Sequence, residues 1–265
     1  MNTKERIHIK QVLNKGYTIV ENVLSEKECS KIKKITKKLL KSYHLRKLIN
    51  NPLEQTIYNL HNKDYVFLRY LNFKKTINIV KGTLSAGSYK NNDDIIIRQT
   101  AMRNPIKGHA QQLHNDTRIV GCKFPLVTHI IYMIDDFTND NGATRLVPQS
   151  HLSSKFAENK KKYRNEKIIT GKKGSALIFN ASTWHGSSVK KNNEERWAMI
   201  YSYSRWFLKS DFDFNKNTPI KVYNKLSLYE KKLMGFNFNP PKDEFSRSSA
   251  KNKVPELPYK YILPN

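Results

Sequence analysis

The feature that most limits the fold is a run of short apolar segments between residues 83 and 206. TLSAGSY, DIIIRQTAM, THIIYMIDDF, ATRLVP, SALIFN and RWAMIYSYSRWFL are rich in β-branched and aromatic residues. Turn clusters such as NDNG, TGKKG and KKNNEE separate them. Many short strands without regular intervening helices predict a sandwich, jelly roll or barrel. The fold class expected is therefore mainly β with flanking α-helices.

Residues 1–82 are expected to be largely helical support for that core. YTIVENV reads as a short strand. Ser25 and Glu28 then form an S-x-x-E capping box, with Leu24 and Cys29 at the staple positions. Cys29, Ile32, Ile35 (or Thr36), Leu39 and Leu40 continue at helical spacing, so a helix should run to about residue 42. HNKDYVFLRYLN and KKTINIVKG are further candidate helices. Residues 207–265 are rich in Pro and Asn but keep their aromatics, and read as an arm packed on the domain rather than a second domain. The whole chain, 1–265, is thus expected to be one domain.

With 265 residues and 38% hydrophobic content the chain can bury a sizeable core. Neither a transmembrane helix nor a signal peptide is expected, because no long apolar run exists and MNTKERIHIKQVLNKG is polar. Two cysteines without paired spacing argue against a disulfide scaffold and fit a reducing cytoplasm. The net charge of +26 points to an anionic partner or, equally, to the lysine bias of an AT-rich genome. Lysine is spread along the chain rather than massed, and nucleic acid is not the expected partner.

The stretch QQLHNDTRI sets His114 and Asp116 at i and i+2, which share a face on a strand. A solvated strand end would look the same. His185, in NASTWHGSSV after the strand SALIFN, can meet them across the mouth of a jelly roll. Two imidazoles and one carboxylate with open positions describe a non-haem Fe(II) facial triad, though zinc accepts the same donors. Arg196 opens an alternating strand, where burial demands an anion; the plainer expectation is a surface pair with Glu194 or Glu195. His129 reads as a hydrogen-bonded core histidine.

These pieces, in order, carry a resemblance: His114-Asn-Asp116, NG at 141–142, VPQSH at 147–151, WHGS around His185, then Arg196 and a YSY strand. The pattern resembles the phytanoyl-CoA dioxygenase family of Fe(II)/2-oxoglutarate oxygenases. GYTIVENVLSEKEC and LMGFNFNPPKDEF resemble its terminal segments. The resemblance implies a double-stranded β-helix (cupin-like jelly roll) core. It implies Fe(II) on His114, Asp116 and His185, with 2-oxoglutarate and O2 as cosubstrates. Arg196 would hold the distal carboxylate of 2-oxoglutarate, helped by Ser187, with Tyr132 nearby and Gln99 and Gln111 as further polar contacts. The reaction implied is hydroxylation of a small molecule, anionic or zwitterionic, with release of succinate and CO2. Gln149 stands where the family has Gly in a P-G-S-H turn, so His151 is expected to brace the fold. A carboxylate at position 116 disfavours halogenation. The alternatives are a nucleic-acid demethylase on the same fold, a zinc hydrolase and a non-catalytic metal-binding jelly roll. Arg196 and Arg205 are too far apart for the paired arginines of the demethylases.

Overall fold

A computed structural model describes residues 1–45, 54–88, 95–158 and 161–238. Its strands are β1 (Tyr17–Val20), β2 (Glu54–Tyr58), β3 (Ile95–Pro105), β4 (Val127–Met133), β5 (Thr144–Leu146), β6 (Lys167–Ile168), β7 (Ala176–Asn180), β8 (His185–Ser187) and β9 (Ala198–Arg205). Six form one antiparallel sheet in the order β1-β7-β4-β9-β3-β2. Three form a second, in the order β6-β5-β8. The large sheet lies between this small sheet and a layer of helices, giving the double-stranded β-helix core its two faces.

Strand periodicity explains the sorting. On β4, Ile130 and Tyr132 face the helices, as does Ile134 just beyond it, while Ile131 and Met133 face the small sheet. On β9, Met199, Tyr201 and Tyr203 take the helical side and Ala198 the other. The buried tyrosines bring polar tips into this apolar layer, and each tip is satisfied. Tyr201 donates to the Phe67 carbonyl (2.6 Å), Tyr203 to that of Leu71 (3.0 Å), and Tyr132 shares a hydrogen bond with the Thr76 hydroxyl (2.7 Å). An unmet hydroxyl there would cost about 1–3 kcal/mol, so these bonds fix how the helical layer seats on the sheet.

The helical layer is α1 (Thr3–Lys15), α2 (Glu26–Leu45) and α3 (Lys74–Leu84), with a 3₁₀ segment over Tyr65–Asn72. The Ser25–Glu28 capping box is present: the Ser25 hydroxyl accepts from the Glu28 N–H, and the Glu28 carboxylate accepts from the Ser25 N–H (2.8 Å). Cys29 is buried beneath it, and burial pushes its thiol up to about 11, as befits a core residue. α1 was not legible in the sequence, nor was β2, and these segments of the N-terminal part contribute more than helices. β1 and β2 form the two edges of the large sheet. TLSAGSY is not a strand over its described residues: Thr83 and Leu84 finish α3 and a turn follows. Beyond β9, α4 (Phe214–Asn217), α5 (Ile220–Tyr223) and α6 (Leu228–Leu233) pack Phe214, Leu226, Leu233 and Phe236 into the helical core. The NPPKDEF segment lies outside the described residues. No helix among the described residues is long and apolar enough to cross a membrane.

The VPQSH turn binds the small sheet to α1. Gly16 ends α1 at φ +90°, where a Cβ would lie 2.5 Å from Thr183 Oγ1 and 2.8 Å from His151 Nδ1. His151 Nε2–H donates to the Leu13 carbonyl (2.9 Å), and the Gln149 N–H to that of Lys15 (2.9 Å). His151 therefore braces the fold. Gln149 itself holds φ +65°, the left-handed region that favours glycine. Gln149→Gly is expected to stabilise the protein by about 1 kcal/mol, a rise in Tm of roughly 2 °C, because it removes that strain. Thermal unfolding of the two proteins checks it.

Candidate metal centre

The centre is made by backbone before side chains enter. His114 and His185 exchange both main-chain hydrogen bonds, N–H to O at 2.9 Å in each direction. This isolated antiparallel bridge sets the two rings side by side, with centroids 4.4 Å apart and planes tilted by 49°. The Asp116 N–H donates to the Ala181 carbonyl (2.9 Å), which brings its carboxylate under both rings. His Nε2-type donors and a carboxylate oxygen from His114, Asp116 and His185 all lie within 4.8 Å of one another. Gly186 makes the bridge possible. A Cβ there would lie 2.5 Å from the Gln111 carbonyl oxygen and 2.8 Å from that of Gln112.

Tautomers are fixed by the same backbone. His114 Nδ1–H donates to the Gln112 carbonyl and His185 Nδ1–H to the Thr183 carbonyl, both at 2.8 Å. Each ring therefore presents Nε2 to Asp116, at 3.3 Å for His114 and 3.5 Å for His185. Two nitrogen lone pairs and a carboxylate aimed at one point fit a divalent cation of the first transition row. Burial opposes ionisation of Asp116, but its polar surroundings of His185, His114 and His129 hold its carboxyl far below the usual range. Burial also works against a charged His114, yet Asp116 and the Gln112 carbonyl outweigh it and raise its pKa.

The third imidazole is His129, which the sequence suggested only as a core residue. It is buried, but its Nε2 is 2.9 Å from Asp116 Oδ2 and its Nδ1 is 2.6 Å from Ser202 Oγ. Burial lowers its pKa, so the ring is neutral. The ring shares a hydrogen bond with the Ser202 hydroxyl through Nδ1, while Nε2 touches the carboxylate without the alignment of a hydrogen bond. The available signal was parity: on β4 His129 and Ile131 share the face opposite Tyr132.

These residues line a cavity of about 1040 Å³. Arg196, Ser187, Gln99 and Gln111 line it too. Arg196 is buried, so it is not the surface residue of the plainer expectation; Glu195 pairs instead with Lys33 (3.1 Å) and Lys37 (2.8 Å). The Arg196 guanidinium donates to the Gly142 carbonyl (2.5 Å) and lies 4.6 Å over the Phe137 ring. Ser187 Oγ accepts the Gln111 N–H (2.8 Å). Tyr132 is a correction: it sits on the helical face of β4, fully buried among Tyr70, Phe73 and Tyr201, and does not line the cavity. Its period-2 position decides this.

The phytanoyl-CoA dioxygenase (PhyH) family model matches residues 13–198. The chain belongs to this family. It is accordingly a 2-oxoglutarate-dependent dioxygenase, and its cofactors are Fe(II) and 2-oxoglutarate. Among relatives of this PhyH chain, the uncharacterized protein Rv1501 of Mycobacterium tuberculosis is 23% identical over 205 residues, 75% of each chain. The dioxygenase cdmA of Talaromyces verruculosus is 29% identical over 100 residues, 34% of this chain and 33% of that one. HygX from Streptomyces hygroscopicus, crystallised with nickel and 2-oxoglutarate, superposes with a TM-score of 0.65 at 14% identity, over 79% of this chain and 89% of its own. EctD from S. alaskensis gives 0.63 at 16% identity, over 78% of each. Both share the fold.

Two outcomes are expected. Gly186→Ala should push the Gln111–Gln112 backbone away and carry His114 with it, weakening Co(II) binding by at least about tenfold in a calorimetric titration. His129→Phe keeps an aromatic ring but removes the polar contacts with Asp116 and Ser202, and should weaken Co(II) binding by roughly 10–100-fold. Unchanged affinity in either variant would show that the contact has no hold on the centre.

Proposed function

We propose that this enzyme hydroxylates an unactivated C–H bond of a small molecule. One atom of dioxygen enters the substrate as hydroxyl and the other enters succinate, while the 1-carboxylate of 2-oxoglutarate leaves as CO2. His114, Asp116 and His185 would hold Fe(II), which when bound supplies the activation of dioxygen that the keto acid drives. Asp116, kept ionised by its three imidazole neighbours, adds the negative charge that a ferrous ion needs. His129 orients that carboxylate from behind.

Arg196 would grip the distal carboxylate of 2-oxoglutarate. Its bond to the Gly142 carbonyl and its seat on Phe137 already restrict the guanidinium, so little rotamer freedom remains to be lost on binding. Ile131, Phe179, Ala198 and Ile200 give the cavity an apolar wall, which lowers screening between the guanidinium and an anion. Ser187 stands two residues beyond His185 on that wall and is a second candidate contact, with Gln99 and Gln111 further along it. The single observation that carries the reading is that the triad and a buried arginine line one cavity. Its volume, about 1040 Å³, has room for a keto acid and a small substrate together. HygX, of the same fold, is also known with hygromycin B bound, which supports a small-molecule substrate here.

Anaerobic addition of Fe(II) and 2-oxoglutarate should produce a weak visible charge-transfer band. Arg196→Ala should raise the 2-oxoglutarate concentration needed for half the band on the order of 30-fold, for loss of a charged hydrogen-bonded pair of about 2 kcal/mol. Asp116→Ala should abolish succinate formation. A parent protein without the band, or an Arg196→Ala titration identical to the parent, would overturn the assignment.

A further inference from the structure

The β4–β9 register sets Met133 opposite Ala198, next to Arg196, and Val127 opposite Ser204 at the far end of the pair. The cavity extends along this face from Arg196 to Leu126 and Leu208, just past that far end. Three segments meet there. The Arg205 N–H and Nε–H donate to the carbonyls of Leu126 (3.2 Å) and Pro125 (2.9 Å), which joins the chain leaving β9 to the loop entering β4. The Gly121 N–H donates to the Ser153 carbonyl (3.4 Å), which joins the same loop to the turn after His151.

Each segment exposes two large apolar side chains: Ile119 and Phe124, Leu152 and Phe156, Trp206 and Phe207. Six of the fourteen large apolar side chains exposed among the described residues are thus gathered at one end of the molecule. Packing from beneath holds two of the rings in place. Phe124 covers Gly87, where a Cβ would lie 2.5 Å from the ring, and Trp206 stacks on Phe238 with centroids 5.5 Å apart. Charge is equally one-sided. Residues 117–126, 151–157 and 205–210 carry Arg118, Lys123, Lys155, Arg205 and Lys209 and no aspartate or glutamate. Arg205 is buried and bonded to backbone; the other four cations are exposed. None of those four pairs with a carboxylate among the described residues. Asp211 and Glu158, just beyond the segments, are taken by Arg98 and Lys161. A lysine-rich composition accounts for cations but does not gather apolar side chains beside them. Clustered apolar groups on a surface mark a contact. Among cations they match a bilayer, anionic at its surface and apolar below it. A fluid lipid surface closes around separate prongs without the packed shape complementarity that a protein partner needs.

We propose that this face docks the enzyme on an anionic lipid bilayer. Ile119, Phe124, Trp206 and Phe207 enter the head-group layer, and Arg118, Lys123, Lys155 and Lys209 meet the lipid phosphates and carboxylates. The attachment is to the surface and involves no spanning helix. Arg118, Ile119 and Lys209 also line the cavity, so docking sets the cavity rim against the lipid. Docking of this kind needs neither metal nor 2-oxoglutarate and is independent of the dioxygenase reading.

The test sediments the full chain with vesicles of phosphatidylcholine, alone or with roughly a third phosphatidylserine, at about 0.15 M salt. Partition into the mixed vesicles should be at least about tenfold the stronger. A net charge of +26 draws any face toward such vesicles, so the face is read separately. Lys123→Glu with Lys209→Glu should weaken binding at least about 25-fold, roughly fivefold for each cation lost. Lys34→Glu with Lys38→Glu makes the same change of charge on α2, whose Lys33 and Lys37 pair with Glu195 at the Arg196 end. It should weaken binding less than about threefold, because screening confines the attraction to the docked face. Trp206→Ser with Phe207→Ser changes no charge and should weaken binding about tenfold or more. Trp206 is the exposed one of three tryptophans, at 43% against 9% for Trp184 and 0% for Trp197. Its emission should move to the blue on the mixed vesicles and be quenched by brominated acyl chains, and Trp206→Phe should remove both effects. No binding to the mixed vesicles would overturn the proposal. So would equal losses in the two lysine pairs, serine variants that bind as the parent does, or emission that stays unmoved. Scattering that rises with protein concentration, without vesicle binding, would assign the face to a second copy of the chain and overturn it as well.

Discussion

The centre depends on one reciprocal pair of backbone hydrogen bonds, between His114 and His185. A main-chain pair of this kind fixes both Cα positions and both side-chain directions at once, without help from the side chains themselves. Everything that follows is set by it. The rings emerge on one side, their Nδ1 protons fall on carbonyls of their own segments, and their Nε2 lone pairs converge on Asp116. Gly186 is the residue that admits this approach, because the β8 backbone runs against the carbonyls of Gln111 and Gln112 with no space for a Cβ. The convergence of these three side chains is therefore set by secondary structure.

The second organising constraint is parity. The large sheet has two wet-incompatible faces, one under the helices and one under the small sheet, so alternate residues of β4, β7 and β9 serve different masters. Tyrosines 132, 201 and 203 go to the helical face, where carbonyls and a threonine hydroxyl of the helical layer satisfy their hydroxyls. His129, Ile131, Phe179, Ala198 and Ser202 go to the cavity. A bulge is the one way to break this rule within a strand, and β3 uses it beside the centre, where two consecutive residues then reach the same wall.

Legibility in the sequence followed the range of the interaction. The Ser25–Glu28 box spans three residues, and it was readable because both partners lie within one helical turn. Asn2 and Glu5 form the same box at the start of α1, but that helix buries only Ile9 and Val12, too thin an apolar stripe to announce itself. β2, EQTIY, is an edge strand whose only large apolar residues are Ile57 and Tyr58, too short a run to read as a strand. TLSAGSY misled because its β-branched start belongs to the end of a helix. At the site, the order of His114, Asp116, His185 and Arg196 was readable and the four do share a cavity. Tyr132 was placed by analogy rather than by counting along its strand, and the count puts it on the wrong face. His129 needed that same count together with knowledge of which face held the cavity, and only the assembled sheet supplies the second piece.

A centre built this way has few obligatory side chains. The backbone bridge needs hydrogen-bonding groups that nearly every residue has, and the faces of the sheet need only apolar residues of the right parity and volume. That is why chains 14% identical can superpose with a TM-score of 0.65. In this chain the proposed iron site rests on a handful of residues: two imidazoles, one carboxylate, and a glycine where two backbones touch. The cavity wall on β3 and the loop after Asp116 carries no such duty toward the centre. It can change its charge and shape while the ligands stay in place, and one scaffold can thereby turn the same oxidative chemistry on different molecules.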